Sequence, residues 1–156
     1  DYNSISIIDL NNKSEKMEIK ESFADTSLLN PDEFYLGNRI YTISTLGIEG
    51  RYTLDNKGMP KLLENYYNIT TPIRLTTKID IKGKKMDGIN GKELGDYDIP
   101  TGTLLVPMGT DNETFTDYTT SDGVIVRIPM QGAEEYGFMI EGRNVEDVFD
   151  GTIFAG

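Results

Sequence analysis

Apolar and polar residues alternate along much of this chain with the two-residue period of a strand that buries one face. The clearest run is Ile73–Ile81. Ile73, Leu75, Thr77, Ile79 and Ile81 share one face of it, and Arg74, Thr76, Lys78 and Asp80 the other. Ser4–Leu10 and Lys16–Glu21 flank the turn Asn11-Asn12-Lys13-Ser14 and predict an opening hairpin. Arg51–Leu54 and Lys61–Tyr67 flank Asp55-Asn56-Lys57-Gly58 and predict a second, although Lys61–Tyr66 also fits one helical turn after Pro60. Thr114–Thr119 and Val124–Pro129 flank Thr120-Ser121-Asp122-Gly123, the strongest hairpin signal in the chain.

Other segments read more briefly. Arg39–Thr45 and Thr103–Val106 are expected strands, and Pro107–Asn112 an expected turn. Lys82–Tyr97 holds four glycines and scattered charge, which predicts a long loop or a short ribbon. Gln131–Tyr136 reads as a loop, and Phe138–Ile140 and Val145–Phe149 as short final elements. Ile153 and Phe154 are expected to dock the tail.

One segment carries helix punctuation instead. Asn30 suits an N-cap and Pro31 the first helical position; Asp32 and Glu33 complement the helix dipole, and Gly37 suits the exit. These residues predict a short helix at Pro31–Leu36. The expected core is Ile5, Ile7, Ile40, Ile43, Ile73, Leu75, Ile79, Leu104, Val106, Val124, Val126 and Ile128.

Composition sharpens the fold class. Ile, Val and Thr number 17, 5 and 16, against 3 Ala, and β-branched side chains suit a pleated surface. The expectation is a mostly β protein: an antiparallel sandwich or one or two small barrels, with one short helix near 31–36. Its 156 residues fit a single β-rich domain.

Charge suggests a subdivision. The chain has 15 Lys and Arg against 26 Asp and Glu, a formal net charge of −11. Residues 1–85 balance 12 acids with 12 bases, whereas residues 86–156 hold 14 acids and only Lys92, Arg127 and Arg143 as bases. The division would be a neutral part, 1–85, and an acidic, barrel-like part, 86–156. Such an acidic balance argues against nucleic acid partners, whose phosphates it repels. No apolar run reaches the roughly 18 residues of a membrane span, so no membrane insertion by this segment is expected.

The missing residue types exclude several chemistries. Without His there is no imidazole base or Ser-His-Asp triad, and without Cys no thiol nucleophile, disulfide or cysteine-held zinc. No P-loop, G-x-G-x-x-G or G-x-S-x-G motif occurs.

Two acidic groups have the oxygen chemistry for calcium: Asp87, Asn90, Glu93, Asp96 and Asp98, and Asp111, Glu113, Asp117 and Asp122. Neither has EF-hand spacing, and Asp and Asn also close turns through their own backbone. Tyr66, Tyr67, Tyr97 and Tyr118 are the candidate ligand platforms, although a Tyr in a strand is more often a half-buried packing residue.

The short strands and Gly/Asp turns of Pro100–Gly156 resemble the SH3-like and related small β-barrels of secreted Gram-positive proteins. Absence of Cys fits that setting. Asp1 in place of an initiator Met leads us to expect a signal peptide, a lipoprotein anchor or a larger region upstream.

The expected function is a non-catalytic binding or structural module of a bacterial secreted or cell-surface protein. Its partner would be a protein or a cell-wall component, and it would need no cofactor. Two alternatives follow from the acids. One is a calcium-dependent module using the turns of residues 86–156. The other is a carboxylate-based hydrolase of a cell-envelope glycan, which needs two facing acids.

Overall fold

The computed structural model describes residues 5–9, 14–19, 25–30, 33–132 and 137–154. These residues form antiparallel sheets with one short helix, as the β-branched composition predicts. No helix among them is long and apolar enough to cross a membrane. The chain divides into two compact units, one comprising the chain up to Arg39 with Glu49–Asn65, the other Ile40–Ile48 with the chain from Tyr66 onward.

In the first unit, β1 (Ile5–Asp9) pairs with β2 (Ser14–Ile19), the expected opening hairpin. Its turn at 11–13 lies outside the described residues, as do the side chains of Ile5 and Ile7. β3 (Asp25–Asn30) pairs with β4 (Glu33–Ile40), and β5 (Leu46–Leu54) and β6 (Pro60–Ile69) follow in the order β3-β4-β5-β6. The β5–β6 turn forms as predicted. The Asp55 carboxylate accepts from the N–H of Lys57 at 2.8 Å and of Met59 at 2.9 Å, and Gly58 takes the left-handed conformation at φ 78°. Lys61–Tyr66 is strand, not a helical turn. Buried Leu36 packs here with Phe34, Tyr52 and Met59.

The helix expected at Pro31–Leu36 does not form. Pro31 and Asp32 lie outside the described residues, but Glu33–Leu36 belong to β4, where Phe34, Tyr35 and Leu36 stand opposite Leu28, Ser27 and Thr26. The capping signals were local and weak. Two aromatics in succession suit a ladder better than two helical turns. The one helix among the described residues, α1 (Val145–Val148), lies elsewhere and buries Val145 and Val148.

The second unit is built on β7 (Leu75–Thr77), β8 (Ile81–Met86), β9 (Glu93–Ile99), β10 (Leu104–Thr110), β11 (Phe115–Thr120) and β12 (Ile125–Pro129). Strand order within this unit is β6-β10-β11-β12-β8-β9, where β6 takes part through Tyr67 and Asn68, in the part of that strand that belongs to this unit. β7 shares the β6 edge of β10 and pairs in turn with β16 (Phe149–Asp150). A small separate sheet runs β13 (Gln131–Gly132), β14 (Phe138–Ile140) and β15 (Arg143–Asn144). Residues 133–136 of the expected loop lie outside the described residues.

Turn chemistry explains two connections. Thr120, Asp122 and Gly123 close β11–β12 as expected, with Gly123 at φ 82° and its N–H donating to Thr120 O at 3.0 Å. Glu141 and Gly142, at φ 50° and 74°, form the two-residue turn between β14 and β15. Both central residues are left-handed there, as a type I′ turn requires.

Several boundaries move. Ile73–Ile81 is not one strand. β7 ends at Thr77, whose N–H and hydroxyl bond to Thr103 O and Pro100 O, and the chain bends before β8. Its face assignment still holds: Leu75, Thr77 and Ile81 are buried, Ile73 and Ile79 pack against the core, and Arg74, Lys78 and Asp80 are exposed. Arg39–Thr45 is strand only to Ile40. β10 continues to Thr110 through the expected turn, taking Pro107 at an irregularity in its register with β11. This sets its face, so Leu105 is buried while Leu104 and Val106 are only partly so. Lys82–Tyr97 is the ribbon β8–β9 rather than a loop.

The core gathers Ile40, Ile43, Leu75, Ile99, Leu105, Tyr118, Val126, Ile128 and Phe149 among others, with Val124 partly buried against it. Phe149 is the docked aromatic near the C-terminus. Ile153 and Phe154 are 62% and 42% exposed, contrary to expectation. Backbone bonds hold that tail instead: Ser44 Oγ donates to Ile153 O and accepts from Ile153 N, both at 2.8 Å, and Thr45 N donates to Ile153 O at 2.7 Å.

Candidate functional site

A polar row crosses the second unit's sheet. Strand register sets Gly109 (β10) opposite Asp117 (β11), Asp117 opposite Arg127 (β12), Arg127 opposite Lys84 (β8), and Lys84 opposite Asp96 (β9). Directly opposed residues share a face of a sheet, so one carboxylate, two cations and a second carboxylate stand in line.

Asp117 is the centre of this row and is fully buried. Arg127 donates to it through Nε at 2.6 Å and Nη2 at 2.9 Å. The Tyr66 hydroxyl donates at 3.1 Å and the Asn90 N–H at 2.9 Å. Four donors on one carboxylate satisfy a charge that burial would otherwise make very costly. Phe115 lies under the guanidinium, 3.6 Å from ring centroid to Cζ, and stacks against Tyr66. Hydrogen bonding to Asp117 pushes Arg127 above its usual value, and burial, with the Asp117 charge, pushes Tyr66 up.

Gly109 makes this geometry possible. The Tyr66 ring lies over it, and a Cβ there would collide with the ring and hydroxyl.

The remaining residues of the first acidic group do not converge. Glu93 and Asp96 both hold Lys84, at 2.9 and 2.7 Å, and Asp98 holds Lys82 at 3.1 Å. These contacts raise both lysines and lower Asp96. Asp87 closes its own turn by accepting the Lys92 N–H at 2.6 Å. Asn90, at φ 54°, contributes its backbone to Asp117.

The second group is dispersed likewise. Asp111 accepts the N–H groups of Glu113, Thr114 and Phe115 at 3.0, 2.8 and 3.0 Å and the Thr114 hydroxyl at 2.5 Å. Burial raises its pKa, but these four donors together hold it below the usual carboxylate value. Glu113 is exposed, and Asp122 accepts from the Thr120 hydroxyl within the β11–β12 turn. Among the described residues, no three Asp or Glu side chains come together as a metal-binding group.

The four tyrosines part company too. Tyr66 is buried in the Asp117 network, and Tyr67 is half-buried against the core. Tyr118 is a core residue, tilted against Phe149. Tyr97 is half-buried and lines a small cavity of 200 Å³ with Lys82, Lys84 and Asp96.

Sequence reasoning missed the cavity that the two most exposed aromatics among the described residues border. A cavity of 490 Å³ is lined by Tyr41, Thr42, Phe138, Val145, Glu146 and Phe154. Its members are scattered over more than a hundred positions, and the bonds of Ser44 and Thr45 to Ile153 help hold Phe154 at the cavity that Tyr41 also lines. A second cavity, of 440 Å³, lies beside Asp80, Lys82, Asp98 and Glu141. Its acids are engaged: Asp80 by the Thr101 N–H and hydroxyl, Asp98 by Lys82, and Glu141 by the Lys82 N–H at 2.8 Å.

No protein-family model, curated protein or solved structure matches the chain.

Proposed function

We propose that this chain is a non-catalytic binding or structural module of a bacterial secreted or cell-surface protein. The state of Asp117 is the observation that carries the reading. It is the one fully buried carboxylate among the described residues, and two Arg127 nitrogens, Tyr66 and the Asn90 N–H all hold it. A general acid or nucleophile needs a lone pair or proton free toward a substrate. Asp117 is instead built as a structural anchor. The cysteine-free composition and acidic surface support the extracellular placing, and the partner is a protein or a cell-wall component.

Co-sedimentation with purified Gram-positive cell envelopes, with the soluble fraction assayed for released glycan fragments, tests the reading. Retention on the envelope with no fragment release is the expected result. Fragment release that disappears on substituting one carboxylate would overturn it in favour of the hydrolase.

A further inference from the structure

Large aromatic side chains left open to water cost hydrophobic free energy unless something covers them. Tyr41 and Phe154 are 56% and 42% exposed, and both border the 490 Å³ cavity, with half-buried Phe138 as a third ring. The two exposed rings are 113 positions apart, yet the chain is tied to bring them together. Ser44 is fully buried, and its hydroxyl both donates to and accepts from Ile153, beside Phe154. The tail is therefore held by polar bonds while its apolar residues face outward.

The charge on the wall is of one sign. Glu146 lines the cavity, and no salt bridge to its carboxylate occurs among the described residues. The neighbouring cation, Lys78, is turned elsewhere: its Nζ donates to the Glu146 backbone oxygen at 3.0 Å and lies 3.9 Å from Asp150. Thr42, 4% exposed, also lines the wall, and its hydroxyl has no hydrogen-bond partner among the described residues. The cavity is within the roughly 300–1,000 Å³ of small-molecule sites. Three aromatic side chains beside a carboxylate that forms no salt bridge among the described residues favour an organic cation over an anion or a neutral solute.

We propose that this cavity binds a small organic cation carrying a quaternary or alkylated ammonium group, against Tyr41, Phe138 and Phe154 with Glu146 as counter-charge. The inference rests on the reading of the chain as a binding module and names the ligand class of that module.

Amide chemical shifts of the full chain would be followed by NMR while choline is added, and separately its neutral isostere 3,3-dimethylbutan-1-ol. Saturable shifts at Phe138, Asn144 and Glu146 with choline, and several-fold weaker ones with the alcohol, are expected. Phe154→Ala and Glu146→Gln, both at exposed positions, should each weaken choline binding by about three-fold or more. The amide spectrum of each variant reports whether it is folded. Equal binding of alcohol and choline would overturn the cation assignment. So would the absence of saturable shifts with either, or binding unchanged in both variants. Envelope retention that persists without choline binding would sink this inference and leave the binding-module reading standing.

Discussion

Asp117 and Arg127 stand directly opposite each other on β11 and β12 and are joined by two hydrogen bonds, of 2.6 and 2.9 Å, with the carboxylate fully buried. The pair is expected to be strongly asymmetric under mutation. Asp117→Ala strands the guanidinium, the Tyr66 hydroxyl and the Asn90 N–H together, and should cost about 3–5 kcal/mol in urea unfolding. Arg127→Lys keeps the charge but loses the planar fork, and should cost about 1–2 kcal/mol. The double substitution Asp117→Leu with Arg127→Met should cost less than Asp117→Ala alone, because no charge is left unpaired. Strict additivity of the two sites would show that the pair is not coupled.

Gly109 and Tyr66 form a second coupled pair. A Cβ at position 109 meets the Tyr66 ring and hydroxyl, so one of the two must move. Gly109→Ala is expected to destabilise the second unit by about 1–3 kcal/mol. In a Tyr66→Ala background the same change should cost much less, since the obstructing ring is gone. A double-mutant cycle by chemical denaturation measures the difference. Equal costs in both backgrounds would place the strain elsewhere in β10.

Much of this architecture is legible along the chain, because its signals are local. Asp55–Gly58 and Thr120–Gly123 close their hairpins by contacts within five residues, and the left-handed glycines stand where the turns need them. What depends on register is not legible. Leu105 rather than Leu104 faces the core because of how β10 meets its neighbours, and a one-residue slip exchanges faces. The same limit applies to the sites. Asp117 reads as one acid of a turn-rich group until the ladder sets Arg127 beside it. Tyr41 and Phe154 have no sequence relation at all, and the bonds of Ser44 and Thr45 to Ile153 help bring them to one cavity. At Pro31–Leu36 the local signal misled, since pairing of β4 with β3 outweighed capping residues suited to a very short helix.

Calcium is expected to leave the thermal midpoint unchanged. The ion takes six to eight oxygens, and Glu93, Asp96 and Asp98 are held on lysines of β8. Asp87 and Asp111 accept backbone N–H groups, and Asp117 is enclosed by its four donors. Melts in EDTA and in millimolar calcium, with magnesium as control, should superimpose. A site filled at a hundred times its dissociation constant would add about 2.7 kcal/mol. A calcium-specific rise of that order would favour the calcium-dependent module.

Acid should weaken the β10–β11 connection through Asp111. Its folded-state pKa is depressed by the Thr114 hydroxyl and three N–H donors, against the opposing effect of burial. A depressed carboxylate contributes stability that is fully present above the unfolded value of about 3.9 and is lost as pH falls through the lower folded value. Asp80, Asp96 and Asp122 are depressed as well, so the wild-type curve falls for several reasons together. Asp111→Asn isolates one of them. It retains an acceptor for the turn but cannot ionise, and should cost about 1 kcal/mol at neutral pH. The gap between wild type and variant should then close as pH is lowered from about 5 through the folded-state value. Urea unfolding at a series of pH values measures that gap. A difference independent of pH would mean that the Asp111 charge contributes nothing and that shape alone holds the turn.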